Sequence, residues 1–99
     1  MRVELLYFKG CPSWKIAHTR VAETLRSTGR DHIAVDLHRV ETPVQATRLK
    51  FIGSPTIRID GSDPFAAGDE PVGLACRLYD TPVGRAGSPT AAQLVGVLS

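Results

Sequence analysis

No stretch of this chain approaches the roughly twenty consecutive apolar residues of a membrane-spanning helix, so no membrane partner is expected. The start also lacks the apolar run of a signal peptide, because the opening apolar stretch soon meets Lys9 and Gly10. Charge of one sign is scarce. Twelve Lys and Arg against ten Asp and Glu leave a net charge of +2, and the arginines stand apart with no aromatic interleaving, which argues against nucleic acid as a partner. Cysteine is nearly absent. Cys11 and Cys76 are too few and too distant to form a disulfide framework. With no export signal, they point to a reducing, cytoplasmic setting, where a cysteine is catalytic, redox-active or simply buried. Internal repeats and low-complexity segments are missing too. What is present is ordinary: 99 residues, 42% hydrophobic and 22% charged, the make-up of one globular domain over 1–99 that buries about two-thirds of its unfolded surface.

The stretch around which the rest is organised is VELLYFKGCPSW, residues 3–14. Val3, Leu5, Leu6, Tyr7 and Phe8 are too continuously apolar for a strand wet on one face, so residues 3–8 are expected to be a central strand covered on both sides. Gly10 allows a sharp exit, and Pro12 suits the first turn of a helix, where no backbone donor is needed. Cys11 then stands at or beside the helix N-cap. There, free N–H groups and the positive end of the macrodipole stabilise a thiolate.

The helix should run over 12–28. Trp14, Ala17, Val21 and Leu25 form its apolar stripe, and Gly29 stops it. Residues 33–38 alternate apolar and polar, as an edge strand does. Thr42-Pro43-Val44-Gln45 is a capping-box pattern that opens a short helix over 43–50. A third strand is expected over 56–60. A loop over 61–73 follows, long enough to be mobile or functional, with Phe65 as its one large anchor. The run 74–79 is read as a fourth strand. A last helix is expected after a Ser88 cap and Pro89, with Leu94, Val97 and Leu98 facing the core. The expected order is therefore βαβαββα, an α/β chain with a four-stranded mixed sheet flanked by helices.

A strand, a turn and Cys11-Pro12 at a helix start, followed by Gly53-Ser54-Pro55-Thr56 opening a later strand, resemble the thioredoxin-like superfamily in its small, glutaredoxin-sized form. The resemblance spans nearly the whole chain. It implies that Cys11 is the nucleophile, that Pro55 is cis and faces it, and that Ser54 offers its backbone to an extended substrate. The sequence departs from the dithiol pattern, because Trp14 stands where the second cysteine of Cys-x-x-Cys would be. Three outcomes remain open: a monothiol protein resolved by small thiols, resolution by Cys76, or a fold kept for binding alone. Some similar small proteins carry an alkylmercury lyase label. That reaction needs two thiolates and a proton donor around one metal–carbon bond, and the spacing does not show Cys11 and Cys76 converging.

For each of these residues a structural role competes with the chemical one. Cys11 is read as a reactive thiol rather than a small buried hydrophobe. Cys76, inside Leu74-Ala75-Cys76-Arg77-Leu78, is read first as a core residue of a strand and second as a possible second thiol. Trp14 is a core or rim aromatic that could also stack on a substrate, and Lys15 a solvated lysine that could also steady a thiolate. His18, His32 and His38 lack ligand spacing, and Asp60, Asp63, Asp69 and Glu70 are too scattered for a calcium loop, so no metal or cofactor is expected. Two functions follow. One is a monothiol redox protein acting on a protein or small-molecule thiol or disulfide; the other is a non-catalytic module holding a peptide, thiol ligand or soft metal. The sequence leaves the oligomeric state open.

Overall fold

In the computed structural model, which describes residues 1–98, β1 (Val3–Tyr7) is the middle strand of a three-stranded sheet. It runs parallel to β2 (Val35–Arg39), with Val3 opposite Val35, and antiparallel to β3 (Thr56–Ile59), with Val3 opposite Ile59. The strand order β2-β1-β3 places the alternating segment at an edge. Apart from Glu4, which pairs with Arg2 and His38, β1 is apolar for the reason the sequence suggests, since successive side chains point to opposite faces and both faces are covered. Val3 and Leu5 join Ile57, Ala17, Val21 and Leu25 beneath α1 (Ser13–Ser27), together with Leu94 and Leu98 of α3 (Ala91–Leu98). Leu6 faces the other way, onto Val40, Phe51 and Ala46 of α2 (Pro43–Leu49).

The capping box of α2 forms as its residues suggest. Gln45 N–H donates to Thr42 Oγ1 at 3.1 Å, and Thr42 N–H donates to Gln45 Oε1 at 3.2 Å. Its far end is closed by Arg58, whose guanidinium donates to the carbonyls of Leu49 at 2.6 Å and Lys50 at 3.2 Å. The last helix starts later than expected. Thr90, not Ser88, makes the reciprocal bonds, exchanging hydrogen bonds with Gln93 at 2.9 and 3.2 Å.

The four-stranded sheet is corrected. The run 74–79 does not add a strand; instead β4 (Tyr79–Thr81) and β5 (Gly84–Ala86) form a separate two-stranded antiparallel sheet. The segment before β4 makes an isolated parallel bridge, Cys76 opposite Ser54. Only Ser54 pairs with it, through its N–H and its carbonyl, and beyond that point the side chains of Arg77 and Tyr79 turn inward to Asp63 and the Pro55 carbonyl. The apolar composition of 74–79 also misleads, because Ala75, Cys76 and Leu78 are exposed while Arg77 and Tyr79 turn inward. β3 ends in a two-residue turn at Asp60 and Gly61, both at positive φ (52° and 84°), with Ile59 paired to Ser62. Among the described residues no helix is long and apolar enough to cross a membrane.

Candidate functional site

Cys11 and Cys76 are joined by a disulfide that closes 65 residues of chain, with Cα atoms 5.7 Å apart. This replaces the expectation that Cys76 lies in an apolar strand away from Cys11. Each partner is delivered by a different device. Cys11 directly precedes Pro12, the N-cap residue of α1, and its own N–H is held by the Phe8 carbonyl at 3.0 Å. Gly10 leaves room for the Phe8 ring, which a Cβ at this position would approach to 2.8 Å. Cys76 is brought in by the strap 75–77, which lies along Ser54. Ser54 N–H donates to the Ala75 carbonyl at 2.8 Å, and Arg77 N–H donates to the Ser54 carbonyl at 2.9 Å. Gly53, at φ +125°, lets the two segments approach; a Cβ on it would lie 2.9 Å from Arg77 Cβ.

Arg77 anchors the strap. Its guanidinium donates to Asp63 Oδ2 at 2.5 Å and Oδ1 at 3.4 Å, and it lies 4.4 Å from the centre of the Tyr79 ring. Tyr79 is buried and donates its hydroxyl to the carbonyl of Pro55, with Phe65 edge-on against its ring at 5.5 Å. Burial raises the Tyr79 phenol well above its ordinary value, and the nearby Arg77 charge only partly opposes that shift. Phe65 packs onto the body, as its place in the loop suggests. The loop is tied further by Glu70, whose carboxylate accepts from the N–H groups of Ala67 at 2.8 Å and Gly68 at 2.9 Å. Those backbone bonds hold the Glu70 carboxyl below its ordinary pKa.

The structure brings Cys11, Ser54 and Cys76 together, and the Ser54–Pro55 peptide is cis, as the resemblance implies. Ser54 is fully buried, and its hydroxyl has no hydrogen-bond partner among the described residues. The backbone expected to meet an extended substrate is already paired, on both its N–H and its carbonyl, with the chain's own strap. Trp14 stacks on Tyr7 with ring centres 4.1 Å apart, and Lys15 Nζ lies 5.9 Å from the Trp14 ring centre.

A cleft of about 480 Å³ opens beside Cys76, lined by Phe65, Glu70, Arg77, Tyr79 and Arg85 among others. Sequence reasoning misses most of this wall. One signal for it is present: a lone arginine within an otherwise apolar run, with acidic residues in the loop before it. A charge at such a position needs a buried partner or an exit to water. Comparison of the chain with protein-family models, with curated proteins and with solved structures finds no match.

Proposed function

We propose that this chain is a thiol–disulfide exchange protein that cycles between the Cys11–Cys76 disulfide and the dithiol. The observation that carries this reading is the union of a cysteine at a helix start with a cysteine on an exposed strap, beside an open cleft. In the oxidising direction a substrate dithiol gives up two electrons and two protons. Its first thiolate displaces one protein sulfur, its second displaces the other, and the substrate leaves as a disulfide. The reverse direction passes the electrons to a substrate disulfide. This two-cysteine cycle is preferred to the monothiol one because the monothiol reading requires Cys76 to be buried in a strand. Cys76 supplies the second sulfur that Trp14 denies to the first turn of α1.

A disulfide that opens and closes during turnover is compatible with the cytoplasm, where such bonds are transient and catalytic; a permanent one belongs to an oxidising compartment. The test is a redox titration of the full chain in glutathione buffers with thiol trapping, set beside the rate at which it exchanges with a model disulfide. A reversible two-electron transition is expected, with exchange lost in both Cys11→Ser and Cys76→Ser. A bond that stays closed across the whole buffer range, or full exchange in Cys76→Ser, overturns the two-cysteine cycle.

A further inference from the structure

We infer that the disulfide is opened at Cys76, not at Cys11, and that the thiol that opens it is a small amino-carboxylate thiol held in the cleft beside Cys76. The inference rests on the exchange chemistry proposed above and adds its polarity and its substrate class. A thiolate attacks one sulfur of a disulfide and expels the other. Cys11 is 2% exposed, whereas Cys76 is exposed and lines the cleft. An incoming thiolate therefore reaches Cys76. The new bond joins the substrate sulfur to Cys76 Sγ, the Cys11–Cys76 bond breaks, and the electron pair leaves on Cys11 Sγ. Cys11 is also the better leaving group, since it precedes the first turn of α1, a setting that stabilises thiolates. A second small thiol then attacks the substrate sulfur of the mixed disulfide, freeing Cys76 as a thiolate and releasing the substrate as its disulfide.

The substrate class follows from what is already occupied. An extended peptide finds no backbone partner at Ser54, because the strap holds both of its hydrogen-bonding groups. The strap is itself anchored through Arg77 and Asp63, whose side chains are 7% and 10% exposed. The charges of the cleft are unequally committed. Arg77 belongs to Asp63, and Glu70 belongs to the N–H groups of Ala67 and Gly68. Arg85 and Asp80 meet only at 3.4 Å, with side chains 69% and 91% exposed, so their pairing is weak and easily exchanged. One cation and one anion thus stand ready at the rim, the complement of a molecule that carries a carboxylate and an ammonium group beside its thiol.

The experiment uses the oxidised full chain, mixed separately with reduced glutathione, with 2-mercaptoethanol and with a peptide bearing one central cysteine. Rapid acid quenching, alkylation and peptide mapping then locate the first adduct. Glutathione is expected on Cys76 over Cys11 by about tenfold or more at the earliest times, because the buried sulfur is shielded from attack. Arg85→Ala should slow glutathione about threefold, the size of one exposed charge contact, and leave 2-mercaptoethanol unchanged. An adduct formed first on Cys11 overturns the polarity while leaving the exchange reading intact. A peptide that reacts faster than glutathione, after allowance for thiol pKa, overturns the substrate class. A disulfide that none of the three thiols opens overturns this inference and the exchange reading together.

Discussion

The guanidinium of Arg77 meets the carboxylate of Asp63 at 2.5 Å in a place where the two side chains are only 7% and 10% exposed. The pair fixes the residue next to Cys76, so the sulfur is held by buried charges as well as by its covalent bond. Removing one partner of a buried pair leaves the other uncompensated. Asp63→Asn, which keeps an oxygen for the Phe65 N–H now bonded at 2.9 Å, should therefore cost about 3 kcal/mol or more. The double variant Asp63→Asn/Arg77→Met should be clearly more stable than the sum of the single effects predicts. Urea unfolding of the four proteins measures this, and simple additivity would show that the pair does not act as a unit.

Gly53 is where the strap passes closest. Alanine there must adopt φ +125° and bring its Cβ to within 2.9 Å of Arg77 Cβ. Gly53→Ala is expected to lose at least about 2 kcal/mol and to raise the rate at which small thiols open the disulfide. Unchanged stability would mean that the backbone at this point is free to shift.

Breaking the disulfide should be felt mainly through the unfolded chain. A closed loop of 65 residues corresponds to about 4 kcal/mol of chain entropy, so Cys76→Ser should unfold at markedly lower denaturant than the oxidised protein. In that variant the thiol of Cys11 should react with iodoacetamide with an apparent pKa below the free-cysteine value of about 8.5, because the start of α1 stabilises the thiolate. Reaction only above that value would remove the electrostatic ground for treating Cys11 as the leaving sulfur.

Tyr79 gives the protein an alkaline limit. Burial raises its folded-state pKa, so its contribution to stability is complete below the unfolded tyrosine value of about 10. That contribution is lost as the pH rises beyond this value toward the folded one. Thermal unfolding followed between pH 8 and 11 should therefore show stability falling above about pH 10. Tyr79→Phe should be less stable at neutral pH, since the Pro55 carbonyl loses its donor, and should show a flatter alkaline limb. An identical alkaline fall in the variant would place the effect on another group.

Ser54 contributes backbone rather than side chain. Its hydroxyl is buried without a partner, so Ser54→Ala removes an unsatisfied group and keeps both backbone bonds to the strap. Stability equal to or slightly above that of the parent protein is expected, with the disulfide still formed. A loss of more than about 1 kcal/mol would show that the hydroxyl does more than occupy space.

Those features of the chain that depend on neighbours in sequence are legible in the sequence alone. Val3, Leu5, Leu6 and Tyr7 of β1 specify a strand covered on both faces, because side chains alternate along a strand and these apolar residues fall on either side of it. Thr42 and Gln45, three residues apart, specify a helix start through bonds that each makes to the other's backbone. Pro12 and Gly29 frame α1, and Cys11-Pro12 with Ser54-Pro55 point to the two turns that meet at the site. The rest is decided by tertiary structure. Whether the run 74–79 becomes a strand depends on what lies beside it, and there only Ser54 pairs with it while the side chains of Arg77 and Tyr79 turn inward to Asp63 and the Pro55 carbonyl. Whether Cys76 is core or chemistry depends on a bridge to Ser54, 22 residues earlier in the chain, and a bond to Cys11, 65 residues earlier. Arg77 is a lone charge in an apolar run until the loop brings Asp63 to it. Local rules act over one turn of helix or one pleat of strand, but a pair so far apart in sequence meets only once the core between them has packed.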